Sequence, residues 1–261
     1  MGNNDDPKGI ENSRPTVAQR GTGTAPREKA KKTPGGEWSE LPGVEFEKKA
    51  GDIYRSKDGH VILLLSNMKI DADGAPNAYH PDSKSGLDLL TNAGHNKNWW
   101  AIVTDNDKKD GNPVIKTDGQ YKGFYISKTA FEDNHIKDNK NQAKYVDATK
   151  IAYAVLRPDL KKYHVSLGDL GYAHNIENGM SSAFIVGDAK NKNNSEGSIR
   201  LAQKLGLVSD PRSKSAGTDK KIIQYFFSPN SNKKFIRSEE ELERTVKQLL
   251  FYYNWYNTYK N

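Results

Sequence analysis

The longest aliphatic run in this chain, residues 61–65, is only five residues. A membrane-crossing helix needs about 20 consecutive apolar residues, so none is expected. A helical core needs apolar positions recurring every three to four residues over long windows, and from Trp38 onward such windows are rare. What recurs is a short extended run closed by turn chemistry. Residues 53–54 and 61–65 flank Ser56-Lys57-Asp58-Gly59, a glycine-containing hairpin connection. Residues 101–104, 123–127, 151–156, 168–174, 182–186 and 222–227 read as further strands, and the polar stretches 105–112 and 133–142 as loops. Many short strands with few helical patterns between them predict a mainly β (α+β) fold with a barrel-like or sandwich core.

Two helices are expected at the periphery. Residues 198–205 place Ile199, Ala202 and Leu205 at three-residue spacing and stop at Gly206. Residues 238–259 open with Ser238 and Glu241, a capping-box pair, and carry Leu242, Val246, Leu249, Leu250 and Tyr253 on one stripe. The aromatic end of that helix, from Phe251 to Tyr259, reads as a face packed on the barrel rather than a sugar platform. Residues 1–36 hold almost no large apolar side chain and read as a disordered tail, leaving 37–261 as a single domain. Lys29-Ala30-Lys31-Lys32 lies in that tail and reads as solubilising, so no nucleic-acid or membrane partner is expected. No apolar leader follows Met1, which fits a cytosolic protein, a mature form with its leader removed, or one exported by a leaderless route, with secretion or export the expectation.

The absence of cysteine removes disulfides, thiolate nucleophiles and cysteine-ligated metals together. The six histidines show no HxH or HExxH spacing, and there is no nucleotide-binding glycine loop and no Gly-x-Ser-x-Gly elbow. Neither a metal nor a cofactor is expected. Carboxylates and aromatics remain. Asp71, Asp73 and Asp82 with Tyr79 and His80 crowd into one short stretch that also has the chemistry of an ordinary turn. Trp99 and Trp100 are suited equally to stacking on pyranose rings and to packing in the core. Asp188 and Glu196 lie at the two ends of a polar loop, able to place two carboxyls on opposite sides of a groove as glycoside hydrolysis requires. They read equally as a turn cap and a helix-start acid.

These segments resemble the family 75 glycoside hydrolases, the fungal-type chitosanases and their bacterial relatives. The matching stretches, in the family's order, are DADGAPNAYHPD (71–82), GLDLLTNAG (86–94), NWWAIVTD (98–105), GFYISKTAFED (123–133), YVDATKIAYAVL (145–156), GDLGYA (168–173), SSAFIVGD (181–188), SEGSIRLAQKLGL (195–207) and IIQYFFSPNS (222–231). They span roughly residues 60–231. The resemblance implies a six-stranded double-psi β-barrel and an inverting endo-hydrolase, acting as a monomer on a β-1,4-linked amino-sugar polysaccharide, with Asp188 and Glu196 as the catalytic pair. Glu196 is expected as acid and Asp188 as base, with the roles exchanged if Asp188 is the more buried. Asp71, Asp73, Asp82 and Asp169 are secondary candidates for binding glucosamine ammonium groups, Asp169 at a strand start reading more readily as structural, and Tyr79, Trp99 and Trp100 would stack on sugars, with His80 beside them. The chain departs from the family between the two acids: Ala189-Lys190-Asn191 replaces the usual Gly-Pro, and Ser195 replaces a glycine. The net charge of +7 and pI near 9.2 sit oddly with polycationic chitosan. A peptidoglycan hydrolase acting as an antibacterial effector, and a non-catalytic carbohydrate-binding protein, are the alternative expectations.

Overall fold

The computed structural model describes residues 44–231 and 234–259, with side chains to residue 250. The expected tail lies outside the described residues, and so do the side chains of the aromatic end of the last helix. In chain order the elements are β1 (Phe46–Ala50), β2 (Ile53–Ser56), β3 (Ile62–Asp71), α1 (Leu90–Ala93), β4 (Gly94–His95), β5 (Asn98–Trp99), β6 (Tyr153–Leu156), β7 (Leu170–Asn175), β8 (Ser181–Ala189), β9 (Glu196–Ser198), α2 (Ile199–Lys204), β10 (Thr218–Ser228) and α3 (Glu239–Tyr259).

The aliphatic run found in the sequence is the start of β3, and it is buried on both faces. Ile62 and Leu64 join the main core, while Leu63 joins a second cluster with Phe46, Tyr54, Val61 and Phe226. Double burial explains why the run is continuously apolar rather than alternating. One edge of β3 pairs antiparallel with β10. The other edge is divided: its first half takes the β1–β2 hairpin, and its last residues take β9 in parallel, Lys69 opposite Glu196 and Asp71 opposite Ser198. The order β3-β10-β7-β8-β6-β9 therefore returns to β3 and closes a six-stranded mixed barrel. The interior is packed: Phe184 is fully buried and meets Tyr225 and Phe227 edge-on, at ring centroids of 6.1 and 5.2 Å.

Two expected strands do not form ladders. Residues 101–104 and 123–127 pair only through isolated bridges, Ile102 with Ser127, Thr104 with Pro113 and Ile115 with Tyr125. Gly119 and Gly123 at positive φ reverse the chain before pairing can propagate. Conversely, β1 and β9 were not foreseen. β9 is Glu-Gly-Ser, a sequence with no strand signal, and Gly197 is there for space: a Cβ would lie 2.6 Å from Met68 Cε.

α2 is capped by Ser198, whose Oγ accepts from Leu201 N at 3.0 Å and from Tyr153 N at 3.0 Å, and donates to Ile151 O at 2.9 Å. One buried hydroxyl thus ties together the end of β9, the start of β6 and the helix. Ser198→Ala should cost about 1–3 kcal/mol by leaving buried amides unpaired, measured by chemical denaturation. α3 buries Leu242 and Val246 and docks on α2 through Arg200 and Lys204, which pair with Glu239 and Glu243. Among the described residues no helix is long and apolar enough to cross a membrane.

Candidate active site

The last residue of β3 is Asp71, and the chain turns immediately after it. Asp71 Oδ1 accepts from Asp73 N at 2.9 Å, the bond by which an aspartate makes a turn of its own. Gly74 completes the turn at φ +80°, where a Cβ would lie 2.0 Å from Val146 O. The turn also presents carboxyls. Asp73 Oδ1 accepts from the Tyr79 hydroxyl at 2.5 Å, and the Tyr153 hydroxyl on β6 donates to Asp73 O at 2.9 Å. Barrel closure brings Asp188, near the end of β8, to the same place. One carboxyl oxygen each from Asp71, Asp73 and Asp188 lies within 4.8 Å of the others. Asp188 Oδ1 accepts from Ala130 N at 2.7 Å, and its carboxyl lies beside that of Asp71.

Glu196 opens β9 beside the end of β3. Its charge is felt by both Asp71 and Asp188. Asn194 Nδ2 donates to Glu196 Oε1 at 3.0 Å, and Lys190 forms an ion pair with the same oxygen. α2 begins after Ser198, so Glu196 belongs to a strand and is not the helix-start acid of the structural alternative.

Burial dominates the electrostatics. It raises the Asp71 carboxyl well above the usual range, reinforced by the charges of Asp188 and Glu196. Asp73 is raised well above its range by burial and by Asp71 and Asp188. Asp188 is pushed up to about 6 by burial, against the pull of the Ala130 and Ala189 amides. The same burial raises Tyr79 and Tyr153, which stay protonated as donors. Three hard oxygen donors at this spacing resemble a cation site. One oxygen of each is already engaged, Asp71 Oδ1 by the Asp73 amide, Asp73 Oδ1 by the Tyr79 hydroxyl and Asp188 Oδ1 by the Ala130 amide, and burial raises all three carboxyls toward their neutral forms. The donor set fits neutralisation by protons.

The structure brings Asp71, Asp73, Tyr79 and Asp188 together with Glu196 alongside, and scatters the remaining expected residues. Asp169 is fully buried and accepts from Ser166 N and Ser231 N, so it ties the start of β7 to a loop and reaches no ligand. Trp99 is a core residue tilted against Tyr125. Trp100 is exposed, its Nε1 donating to Asn92 O. His80 and Asp82 form a surface turn in which Asp82 caps Lys84 N and the imidazole edge meets Phe124. Tyr79 is buried, so its hydroxyl acts on Asp73 and its ring is no stacking surface.

Sequence reasoning missed Tyr153, hidden in an apolar strand like any core residue, and gave Lys190 no role. Asp71 and Asp73, expected against substrate ammonium groups, lie in the carboxyl cluster, Asp71 near Asp188 and Asp73 held by Tyr79. A scan against protein-family models and a search of curated proteins return no match to this chain.

Proposed function

We propose that this chain is an endo-acting glycoside hydrolase that cleaves a β-1,4-linked amino-sugar polymer with inversion. The observation that carries the reading is a pair of unlike carboxyls: Asp188, buried and pushed up to about 6, and Glu196, partly exposed and ion-paired with Lys190. A buried acid raised toward neutrality, with a second carboxyl held in an ion pair nearby, is an arrangement that acid–base cleavage can use. Because Asp188 is the more buried, it is the acid and Glu196 the base, the exchange of roles that burial was expected to decide. Protonated Asp188 gives its proton to the leaving glycosidic oxygen as the C–O bond breaks. Ionised Glu196 takes a proton from the water that attacks the anomeric carbon on the opposite face, a geometry needing about 6.5–9.5 Å between the carboxyls. Asp71 lies beside Asp188 and resists ionising there, because burial and the charges of Asp188 and Glu196 raise its carboxyl.

Side-by-side digestion of chitosan, chitin and peptidoglycan, with product anomers followed by NMR, tests the reading. New reducing ends should appear first as the inverted anomer from an amino-sugar polymer. The titratable groups that interact with Asp188 are Asp71 and Asp73 from the β3 side, Tyr153 from β6 and Glu196 from β9. As pH rises through about 6, Asp188 loses the proton it must donate, so the rate should fall on the alkaline side. No reducing ends from any of the three polymers would sink the proposal.

A further inference from the structure

Lys190 places a positive charge directly beside Glu196. It is the second residue past Asp188, its side chain is 15% exposed, and its ammonium nitrogen is shielded from solvent while paired with Glu196. Burial draws its pKa down and Glu196, then Asp71, oppose that, so the ammonium belongs to the carboxyl cluster. A second cation lies behind it. Arg157 is fixed by Asp159, at 3.0 Å from Nε and 2.5 Å from Nη2, and its Nη1 donates to Ser195 Oγ at 3.2 Å.

From Asn194, which bonds Glu196, a cavity of about 420 Å³ opens along β3 and the Lys190–Ser195 loop. Ser66, Asn67, Arg157, Lys162, Asn193 and Asn194 line part of it. Its size is within the range of about 300–1,000 Å³ usual for ligand sites. Its amides and hydroxyl suit neutral polar groups. The carboxylates that could attract an ammonium are engaged: Glu196 by Lys190, Asp159 by Arg157, Asp52 by Lys221 and Asp219 by Lys69.

We infer that Lys190 is a specificity-determining residue, whose ammonium fills the cation position at Glu196 so that the adjoining subsite takes an N-acetylated, uncharged sugar unit and disfavours a glucosamine ammonium. The inference rests on the glycosidase reading above and narrows it to polymers that are acetylated at that position.

Titration calorimetry of the full chain with glucosamine hexamer and N-acetylglucosamine hexamer tests it, with Lys190→Met and Lys190→Arg as variants and melting curves to confirm folding. The wild type should bind the acetylated hexamer more tightly. Lys190→Met should bind the glucosamine hexamer about tenfold more tightly than the wild type, the effect of removing one partly screened charge a few ångströms away. Its affinity for the acetylated hexamer should hardly change, and Lys190→Arg should keep the wild-type preference. Equal effects on both hexamers, or a wild type preferring glucosamine, would overturn the inference. If polymers are cleaved but the preference ignores Lys190, only this inference fails. If neither hexamer binds and no polymer is cleaved, the glycosidase reading fails and takes the inference with it.

Discussion

Asp188→Asn and Glu196→Gln should each lower polymer cleavage by about 10²–10⁴-fold, the usual contribution of a positioned acid or base, while circular dichroism and melting stay close to wild type. Asparagine keeps a carbonyl oxygen to accept from Ala130 N, so the turn after Lys128 is preserved and what is lost is the transferable proton. Glutamine at 196 can still accept from Asn194 but cannot take a proton from water, and it leaves Lys190 without its counter-charge. Stability adds an independent readout. Asp188 is raised from 3.8 to about 6 in the fold, so its protonated form stabilises the native state. That contribution is present below about pH 4 and is lost as pH rises through about 6. Asp188→Asn should therefore be less sensitive to pH than the wild type across this window in urea denaturation. Wild-type turnover in either variant would remove that residue from the mechanism.

Phe184→Ala should cost about 3–5 kcal/mol in chemical denaturation, the range for deleting a buried aromatic from a packed core. Phe184 has no exposed surface, and the barrel is built around it. Tyr225 and Phe227 from β10 close on its edges, and Gly171 on β7 leaves it room, since a Cβ there would lie 2.2 Å from Phe184 Cζ. The cavity cannot collapse readily, because the strands on either side are held by ladders to β7 and β3. A loss below about 1 kcal/mol would mean that the barrel interior is not close-packed.

The strands carrying most of the barrel were legible because each is an apolar run bounded by turn residues. β3, β6, β7, β8 and β10 each overlap a segment read as extended, although β10 begins four residues earlier than its segment. The loop 100–152 was misread in part because residues such as Ala101 to Val103 are buried without being laddered, and apolar content reports burial rather than pairing. At the site, Asp188 and Glu196 could be singled out by a resemblance and by their place at strand ends.

What the sequence determined by itself was local and compositional: a mainly β chain without cysteine, with aspartates at turns, a capped terminal helix and one altered loop between two acids. Tertiary structure alone decided which of those acids meet. Asp71 and Asp188 are far apart along the chain, and their carboxyl oxygens come within 4.8 Å only because β3 and β8 belong to one closed barrel. β9 is a strand only because the free edge at the end of β3 needs partners for its backbone groups. The same closure sets protonation, since a carboxyl's preference for its neutral form follows from the water and charges around it, and neither is written in its neighbours along the chain.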